Sequence, residues 1–113
     1  MTPVEVSRYY AQLFNEGKHA EMGRLYAPGS ETLWSRPGTP EVRGGAEIAA
    51  QYASPEHAAG TTGLQITSAR YFTDANAVAA EFVFEGNGRR SHVIDLFEID
   101  ADGQISSMSV FFR

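Results

Sequence analysis

The amino-acid sequence predicts an α+β fold in which three N-terminal helices pack on one face of a curved, mostly antiparallel sheet. In the first half of the chain, apolar residues recur at helical spacing and each run stops at glycine or proline. From Leu64 onward, apolar residues alternate with a period of two and are interrupted by short turn signals. Helices followed by a meander of strands are typical of the α+β class.

The first predicted helix has a well-defined start. Thr2, Pro3 and Glu5 have the form of a capping box with proline at the first helical position. Gly17 marks the end of the helix. The apolar residues between these signals stand at helical spacing and are Val6, Tyr9, Tyr10, Leu13 and Phe14.

Two shorter helices are predicted further along. Pro28 and Gly29 stop the second helix, while the third begins after Gly44 and Gly45 and stops before Pro55. Their apolar residues are Met22, Leu25 and Tyr26 in the second helix, and Ile48, Ala49 and Tyr52 in the third.

One strand is predicted between these helices and four after them. Residues Glu31 to Ser35 form a short strand that leads into the loop from Pro37 to Pro40. The four later strands follow one another as an antiparallel meander. Their turns are predicted at Asp74-Ala75-Asn76, Gly86-Asn87-Gly88 and Asp102-Gly103.

Length and composition limit the functions to consider. The 113 residues predict a single domain, residues 1–113. A net charge of −5 with scattered basic residues argues against nucleic acid as a partner. The lack of cysteine excludes disulfides, thiol catalysis and thiolate metal sites. Neither a signal peptide nor a membrane span is visible, so we expect a cytoplasmic protein that does not bind membranes.

Asp95 is the residue most strongly marked for chemistry. Alternation places it on the apolar face of its strand, between Val93 and Phe97. An unpaired buried carboxylate costs several kcal/mol, so this group should take up a proton or find a strong partner. The alternative is that Asp95 lies on the other face of a twisted sheet, or pairs with Arg89 or Arg90.

Three tyrosines are predicted to point toward the same face of the sheet. Tyr10, Tyr26 and Tyr52 occupy inward positions on the three helices, and buried phenols need hydrogen-bond partners. Each taken singly is compatible with an ordinary core aromatic. Together with Asp95 they predict a hydrogen-bonded group in a concavity, whose apolar lining we expect to include Phe82, Phe84, Val93, Met108, Val110 and Phe112.

The chain resembles the ketosteroid isomerase family, within the nuclear transport factor 2-like and SnoaL-like superfamily, over nearly its full length. The resemblance implies a cystatin-like cone. It rests on the order and spacing of several short stretches: Tyr9-Tyr10-Ala11, Asn15-Glu16-Gly17, Leu25-Tyr26-Ala27, Gly44 to Tyr52, Val93-Ile94-Asp95, and Asp102-Gly103-Gln104-Ile105 with Met108.

The resemblance also implies roles for the marked residues. Tyr10 corresponds to the family's catalytic tyrosine and Asp95 to its protonated aspartic acid, while Tyr26 and Tyr52 extend the hydrogen-bond chain. Such a pair forms an oxyanion hole, in which two neutral donors stabilise the negative charge that develops on a carbonyl oxygen.

The general base of the family is missing from its expected place. The family's aspartate would fall at Trp34 or Ser35, and neither can remove a proton in its stead; Trp34 would instead form an apolar wall. Glu31 and Glu41 are the nearest carboxylates, but they are expected to face away or into water. His57, in a predicted loop from Pro55 to Gly60, is the remaining candidate base; the alternative is an exposed loop histidine.

The histidines do not predict a metal site, and we expect neither metal nor cofactor. His92 alternates to the face opposite Asp95, and His19 starts the second helix. An epoxide hydrolase of the limonene type would carry an arginine at the position of Val93, which weakens that alternative.

Two functions are compatible with these features. The first is an enzyme of isomerase or cyclase type, which polarises a carbonyl or enolate oxygen of a hydrophobic polycyclic or polyketide-like substrate. Loss of steroid isomerase activity is an equal alternative. The second is a non-catalytic small-molecule-binding or dimerisation module. Apolar residues on the outer sheet face suit a homodimer, namely Val83, Ile94 and Leu96.

Overall fold

The structure, a computed structural model, describes residues 1–113. No helix in it has the length and apolar character needed to span a membrane. It contains four helices and six strands in the order α1 Pro3–Asn15, α2 His19–Gly23, β1 Leu33–Ser35, β2 Val42–Arg43, α3 Gly45–Tyr52, α4 Pro55–Thr61, β3 Gln65–Asp74, β4 Ala77–Gly86, β5 Arg89–Ile99 and β6 Ile105–Phe112.

The six strands form one sheet in the order β2-β1-β6-β5-β4-β3. All neighbouring strands are antiparallel except β1 and β6, which are parallel. The helices precede the long strands and cover one face of the sheet, so the predicted α+β class is confirmed. The turns between the long strands lie where the sequence predicts them.

Alternation along β5 sets the inner face of the sheet. Val93, Asp95, Phe97 and Ile99 are buried, whereas the residues between them are half-buried or exposed. Across the sheet, Asp95 lies between Ala80 of β4 and the half-buried Val110 of β6. Asp95 therefore lies among apolar residues in the centre of the sheet.

Helix α1 begins with the predicted capping box. The Thr2 hydroxyl accepts a hydrogen bond from the Glu5 N–H at 3.3 Å, and the Glu5 carboxylate accepts one from the Thr2 N–H at 2.7 Å. The buried face of the helix packs against the long strands and carries Val6, Tyr10, Leu13 and Phe14. The local signal for this helix thus fixes where Tyr10 enters the core.

The helix count differs from the prediction, because Pro55–Thr61 forms helix α4 rather than a loop. Its start resembles that of α1: Ser54 is the cap, its hydroxyl accepts a hydrogen bond from the His57 N–H at 3.2 Å, and Pro55 follows it. The segment contains no large apolar side chain and none of its residues is fully buried. It therefore lacks the apolar periodicity from which a helix could be predicted.

The second helix is shorter than predicted, since it ends at Gly23 and leaves Tyr26 in an extended segment. Here the backbone pairs with β6: Ala27 N–H donates to the Ile105 carbonyl at 2.8 Å, and Ile105 N–H donates to the Leu25 carbonyl at 2.9 Å. These long-range hydrogen bonds replace the helical ones. Tyr26 is nevertheless buried, as the sequence predicts.

Gly45, the first residue of α3, packs closely on the backbone of the preceding segment. An added Cβ would collide with the Ala27 carbonyl and with the Cα of Pro28. We expect Gly45→Ala to lower the free energy of unfolding by about 3 kcal/mol, because backbone atoms cannot move aside as a side chain can. Urea unfolding measures this change.

Gly60→Ala is the matched control for this prediction. Gly60 also lies in a helix, but nothing lies within 4 Å of an added Cβ. Its replacement should be neutral or slightly stabilising, because alanine favours the helix. Equal stability of Gly45→Ala and Gly60→Ala would contradict the close approach at Gly45.

Candidate active site

A cavity of about 610 Å³ lies between the helices and the concave face of the sheet. Its volume is in the range of small-molecule sites. Helices α1, α3 and α4 contribute to one wall, and strands β1, β4, β5 and β6 to the other. Tyr10, Tyr52, His57, Trp34 and Asp95 all line it.

The Asp95 side chain is 4% exposed and makes no hydrogen bond or ion pair with another protein group. The alternative partner Arg89 instead donates to the Gly60 carbonyl at 2.9 Å. Burial raises the pKa of Asp95 from its ordinary value of 3.8 to about 7, and the positive charge of Arg36 moderates the rise. Near neutral pH this carboxyl group can therefore donate a proton in a hydrogen bond toward the cavity.

The three inward tyrosines form one chain of hydrogen bonds. The hydroxyls of Tyr10 and Tyr52 lie 2.6 Å apart, and those of Tyr52 and Tyr26 lie 2.8 Å apart. Burial raises the pKa of all three phenols, so each stays neutral. If Tyr10 donates into the cavity, Tyr52 can donate to Tyr10 and Tyr26 to Tyr52, which strengthens the terminal donor.

Tyr10 and Asp95 belong to the same part of the cavity. The rings of Tyr10 and Phe97 are 5.0 Å apart, and Phe97 follows Asp95 by two residues on the same face of β5. A spacing of two residues along a strand is about 7 Å. A phenol that is neutral at pH 7 and a carboxyl group that is largely protonated below pH 7 thus line the same cavity.

His57 is a half-buried residue of α4 rather than an exposed loop residue. Its Nε2 lies 3.2 Å from Nδ1 of His19, and its ring centroid lies 5.0 Å from that of Tyr52. Burial lowers the pKa of His57 to about 4, aided by His19 and Arg36. The imidazole is therefore neutral at pH 7 and has a lone pair that can accept a proton.

The early strand supplies no carboxylate to the cavity. Trp34 is 9% exposed and lines the wall, while the Ser35 hydroxyl donates to that of Ser109 at 3.1 Å. Glu31 and Glu41 are exposed and do not line the cavity; Glu41 pairs with Arg43 at 3.4 Å. An apolar indole thus stands where the family resemblance would require the base.

Most of the apolar residues predicted for the pocket lie along the cavity, but Phe82 does not. Its side chain is fully buried, and its ring centroid lies 6.0 Å from those of Tyr71 and Phe84, so it belongs to the hydrophobic core. Tyr26 also lies behind the wall rather than in it. The predicted residues that do line the cavity are Trp34, Phe84, Val93, Met108, Val110 and Phe112.

Several lining residues are absent from the sequence-based prediction. Arg36 follows β1 directly and faces the cavity, and Phe14, Met22 and Leu64 add apolar surface. Only the position of Arg36 at the end of a strand could have signalled it. His92 lies on the other face of the sheet, 3.3 Å from Glu81, and no three histidine or acidic side chains come together to hold a metal ion.

Comparison with known proteins agrees with this geometry. A family model described as a SnoaL-like domain matches residues 6–108. A protein of unknown function with a cystatin-like fold from Xanthomonas campestris superimposes with a TM-score of 0.79 at 24% identity, covering 99% of this chain and 91% of that one. No curated protein matches the chain in sequence.

Two further solved structures have similar folds. A ketosteroid isomerase-like protein of Kribbella flavida has a TM-score of 0.75 and 19% identity, with 96% of this chain and 76% of that one covered. An LEH-like epoxide hydrolase of M. tuberculosis has a TM-score of 0.70 and 18% identity, with coverages of 98% and 82%. At these identities the likeness shows the fold alone.

The fold is that of the cystatin-like and nuclear transport factor 2-like proteins. Within it, this chain belongs to the SnoaL-like family, because the family model spans most of its length. That fold is associated with isomerases, cyclases and epoxide hydrolases.

Proposed function

We propose that the protein is a cofactor-independent enzyme that polarises a carbonyl or enolate oxygen of a hydrophobic, polycyclic or polyketide-like molecule. The reaction is an isomerisation, cyclisation or elimination. The observation that carries this proposal is the pairing, in one apolar cavity, of the unpartnered Asp95 carboxyl group with the Tyr10 hydroxyl at the end of a tyrosine chain.

The two donors have a defined task in such a reaction. Removal of a proton from the carbon next to a carbonyl leaves an enolate, whose negative charge resides largely on oxygen. Tyr10 and protonated Asp95 would each donate a hydrogen bond to that oxygen inside an apolar cavity, where such bonds are strong. Removing one donor of this kind typically costs about 10²- to 10³-fold in rate.

His57 is the proposed proton acceptor. It lines the same cavity, is neutral at pH 7, and its contact with His19 holds the ring in place. Its lowered pKa makes it a weak base, comparable to a carboxylate, but one that is fully deprotonated at neutral pH. Trp34 would provide a flat apolar surface against the substrate rings.

Phenolates test the oxyanion hole, because they carry an enolate-like oxygen on an apolar ring. We expect a phenol acidic enough to be ionised at about pH 6 to bind in the cavity, and Tyr10→Phe and Asp95→Ala each to weaken it roughly a hundredfold. Asp95→Asn should retain much of the affinity, because its amide still donates a hydrogen bond. Calorimetric titration measures these affinities.

Tyr9→Phe is the matched control, since Tyr9 is adjacent to Tyr10 but is 36% exposed and does not line the cavity. It should bind phenolates as the unmodified protein does. Circular dichroism and thermal unfolding establish that each variant is folded. Unchanged phenolate affinity in folded Tyr10→Phe and Asp95→Ala would rule out the oxyanion hole.

Trp34 favours a second candidate, a non-catalytic module that binds the same kind of ligand. With an indole at the place of the family's base, the cavity can hold a hydrophobic molecule without transforming it. Phenolate binding to such a module would still depend on Tyr10. The module would not, however, convert any carbonyl substrate in a reaction that depends on His57. A homodimer formed through the outer sheet face and a cytoplasmic location remain predictions from the sequence.

A further inference from the structure

Arg36 sits at the mouth of the cavity and is oriented toward it. It directly follows β1, and its guanidinium carbon lies 5.1 Å from the centroid of the Phe112 ring on β6. Both residues line the cavity. A cation over an aromatic face is stabilised there, so Phe112 holds the guanidinium beside the opening.

Unlike several other arginines of the protein, Arg36 has no acidic partner. Arg43 pairs with Glu41 at 3.4 Å, and Arg70 and Arg113 pair with Glu81 at 3.5 and 2.9 Å. No carboxylate lies within 4.0 Å of the Arg36 guanidinium. Its hydrogen-bond donors are free for a ligand.

The charges around the cavity are unusual for an acidic protein. The chain has a net charge of −5, yet two guanidinium groups, those of Arg36 and Arg89, line the cavity against the single exposed carboxylate of Glu56. Asp95 is largely neutral at slightly acidic pH. The positive charge of Arg36 opposes the burial that raises the pKa of Asp95, and it adds to the burial that lowers the pKa of His57. Arg36 therefore acts electrostatically on both residues of the proposed reaction centre.

We propose that the ligand of this cavity is an amphipathic carboxylic acid whose carboxylate binds Arg36 while its apolar body fills the cavity. This inference rests on the proposed function, since it places the carbonyl or enolate oxygen of the same molecule at Tyr10 and Asp95. A guanidinium presents two parallel donors that match a carboxylate, a geometry that a lysine lacks. The Arg36 subsite would thus fix the orientation of the substrate in the cavity.

Matched acids and esters test the subsite. The probes are para-hydroxyphenyl alkanoic acids of increasing chain length, with rings fluorinated so that the phenol is ionised at about pH 6. Each acid is compared at that pH with its methyl ester, which lacks the carboxylate charge, by calorimetric titration. At least one chain length should bind about tenfold more tightly as the acid, a modest factor because Arg36 is partly in water. Arg36→Gln should remove this preference, and Arg36→Lys should restore part of it.

Two controls separate the possible failures. Arg24→Gln removes one exposed positive charge outside the cavity and should leave the preference intact. Tyr10→Phe should weaken acid and ester equally; if it weakens neither, the proposed oxyanion hole fails while the role of Arg36 can still be measured. The inference is overturned if no acid binds more tightly than its ester. It is also overturned if the preference for the acid survives Arg36→Gln, or if Arg89→Gln removes the preference and Arg36→Gln does not.

Discussion

Replacing Asp95 with asparagine is expected to stabilise the protein by about 4 kcal/mol at about pH 8, while changing its stability little at about pH 4. Burial raises the pKa of Asp95 from 3.8 in an unfolded chain to about 7 in the folded protein. Each pH unit between these values costs the folded protein about 1.4 kcal/mol. Asparagine has the same shape as the protonated acid and never becomes charged.

The direction of this effect follows from where the proton is bound. Below about pH 4, both folded and unfolded chains carry the proton on Asp95, and its contribution to stability is fully present. Between about pH 4 and 7 only the folded chain carries it, so the free energy of unfolding falls as the pH rises. Above about pH 7 both are ionised and the loss is complete.

The measurement is urea unfolding of both proteins from about pH 4 to 8. The difference between them isolates Asp95, because the lowered pKa values of His19 and His57 act in the opposite direction in both proteins alike. Asp74→Asn, an exposed carboxylate on β3, is the control and should shift nothing. A pH-independent difference between Asp95→Asn and the unmodified protein would mean that Asp95 has an ordinary carboxylate pKa.

A second large effect is expected in the pH dependence of proton abstraction. A nitrobenzisoxazole is a suitable probe: a base removes the C–H proton of its isoxazole ring, the N–O bond breaks, and a nitrile and a phenolate oxygen form. We expect kcat/KM for this reaction to follow a bell-shaped curve. It should rise with the deprotonation of His57 near pH 4 and fall with that of Asp95 near pH 7.

The two limbs can be assigned by substitution. His57→Gln should lower kcat/KM about a hundredfold and abolish the acidic limb, because the base is lost. Asp95→Asn should keep activity but abolish the alkaline limb, because its donor does not titrate. The pH range extends down to the lowest value at which circular dichroism shows a folded protein. Turnover in His57→Gln equal to that of the unmodified protein would assign the base elsewhere.

Much of the site follows from local sequence patterns. Alternation along one strand predicts Asp95 on the same face as Val93 and Phe97, because successive side chains of a strand point to opposite sides, and that face is buried in the structure. Helical spacing likewise turns Tyr10 and Tyr52 inward. Tyr26 is buried as predicted although its helix is not formed there, because pairing with β6 replaced the helix without exposing the side chain.

Other features were not predictable from such patterns. Helix α4 buries no residue fully and thus lacks a periodic signal, although the Ser54 cap and Pro55 mark its start. The placement of His57 beside His19 depends on α4 packing toward α2, a contact between residues 38 positions apart. Alternation predicts Phe82 to line the cavity together with Phe84, but its fully buried ring packs against Tyr71 and Phe84 in the hydrophobic core instead.

The sequence alone determined the fold class, the succession of long strands and the apolar strand face to which Asp95 belongs, since each depends on a short periodic pattern or a turn signal. The tertiary structure decided which of these groups meet. It joined Tyr10, Tyr52 and Tyr26 across separations of 42 and 26 residues, and it brought Arg36 to the cavity mouth. Those placements depend on how helices dock on a curved sheet, and no local pattern in the chain encodes that geometry.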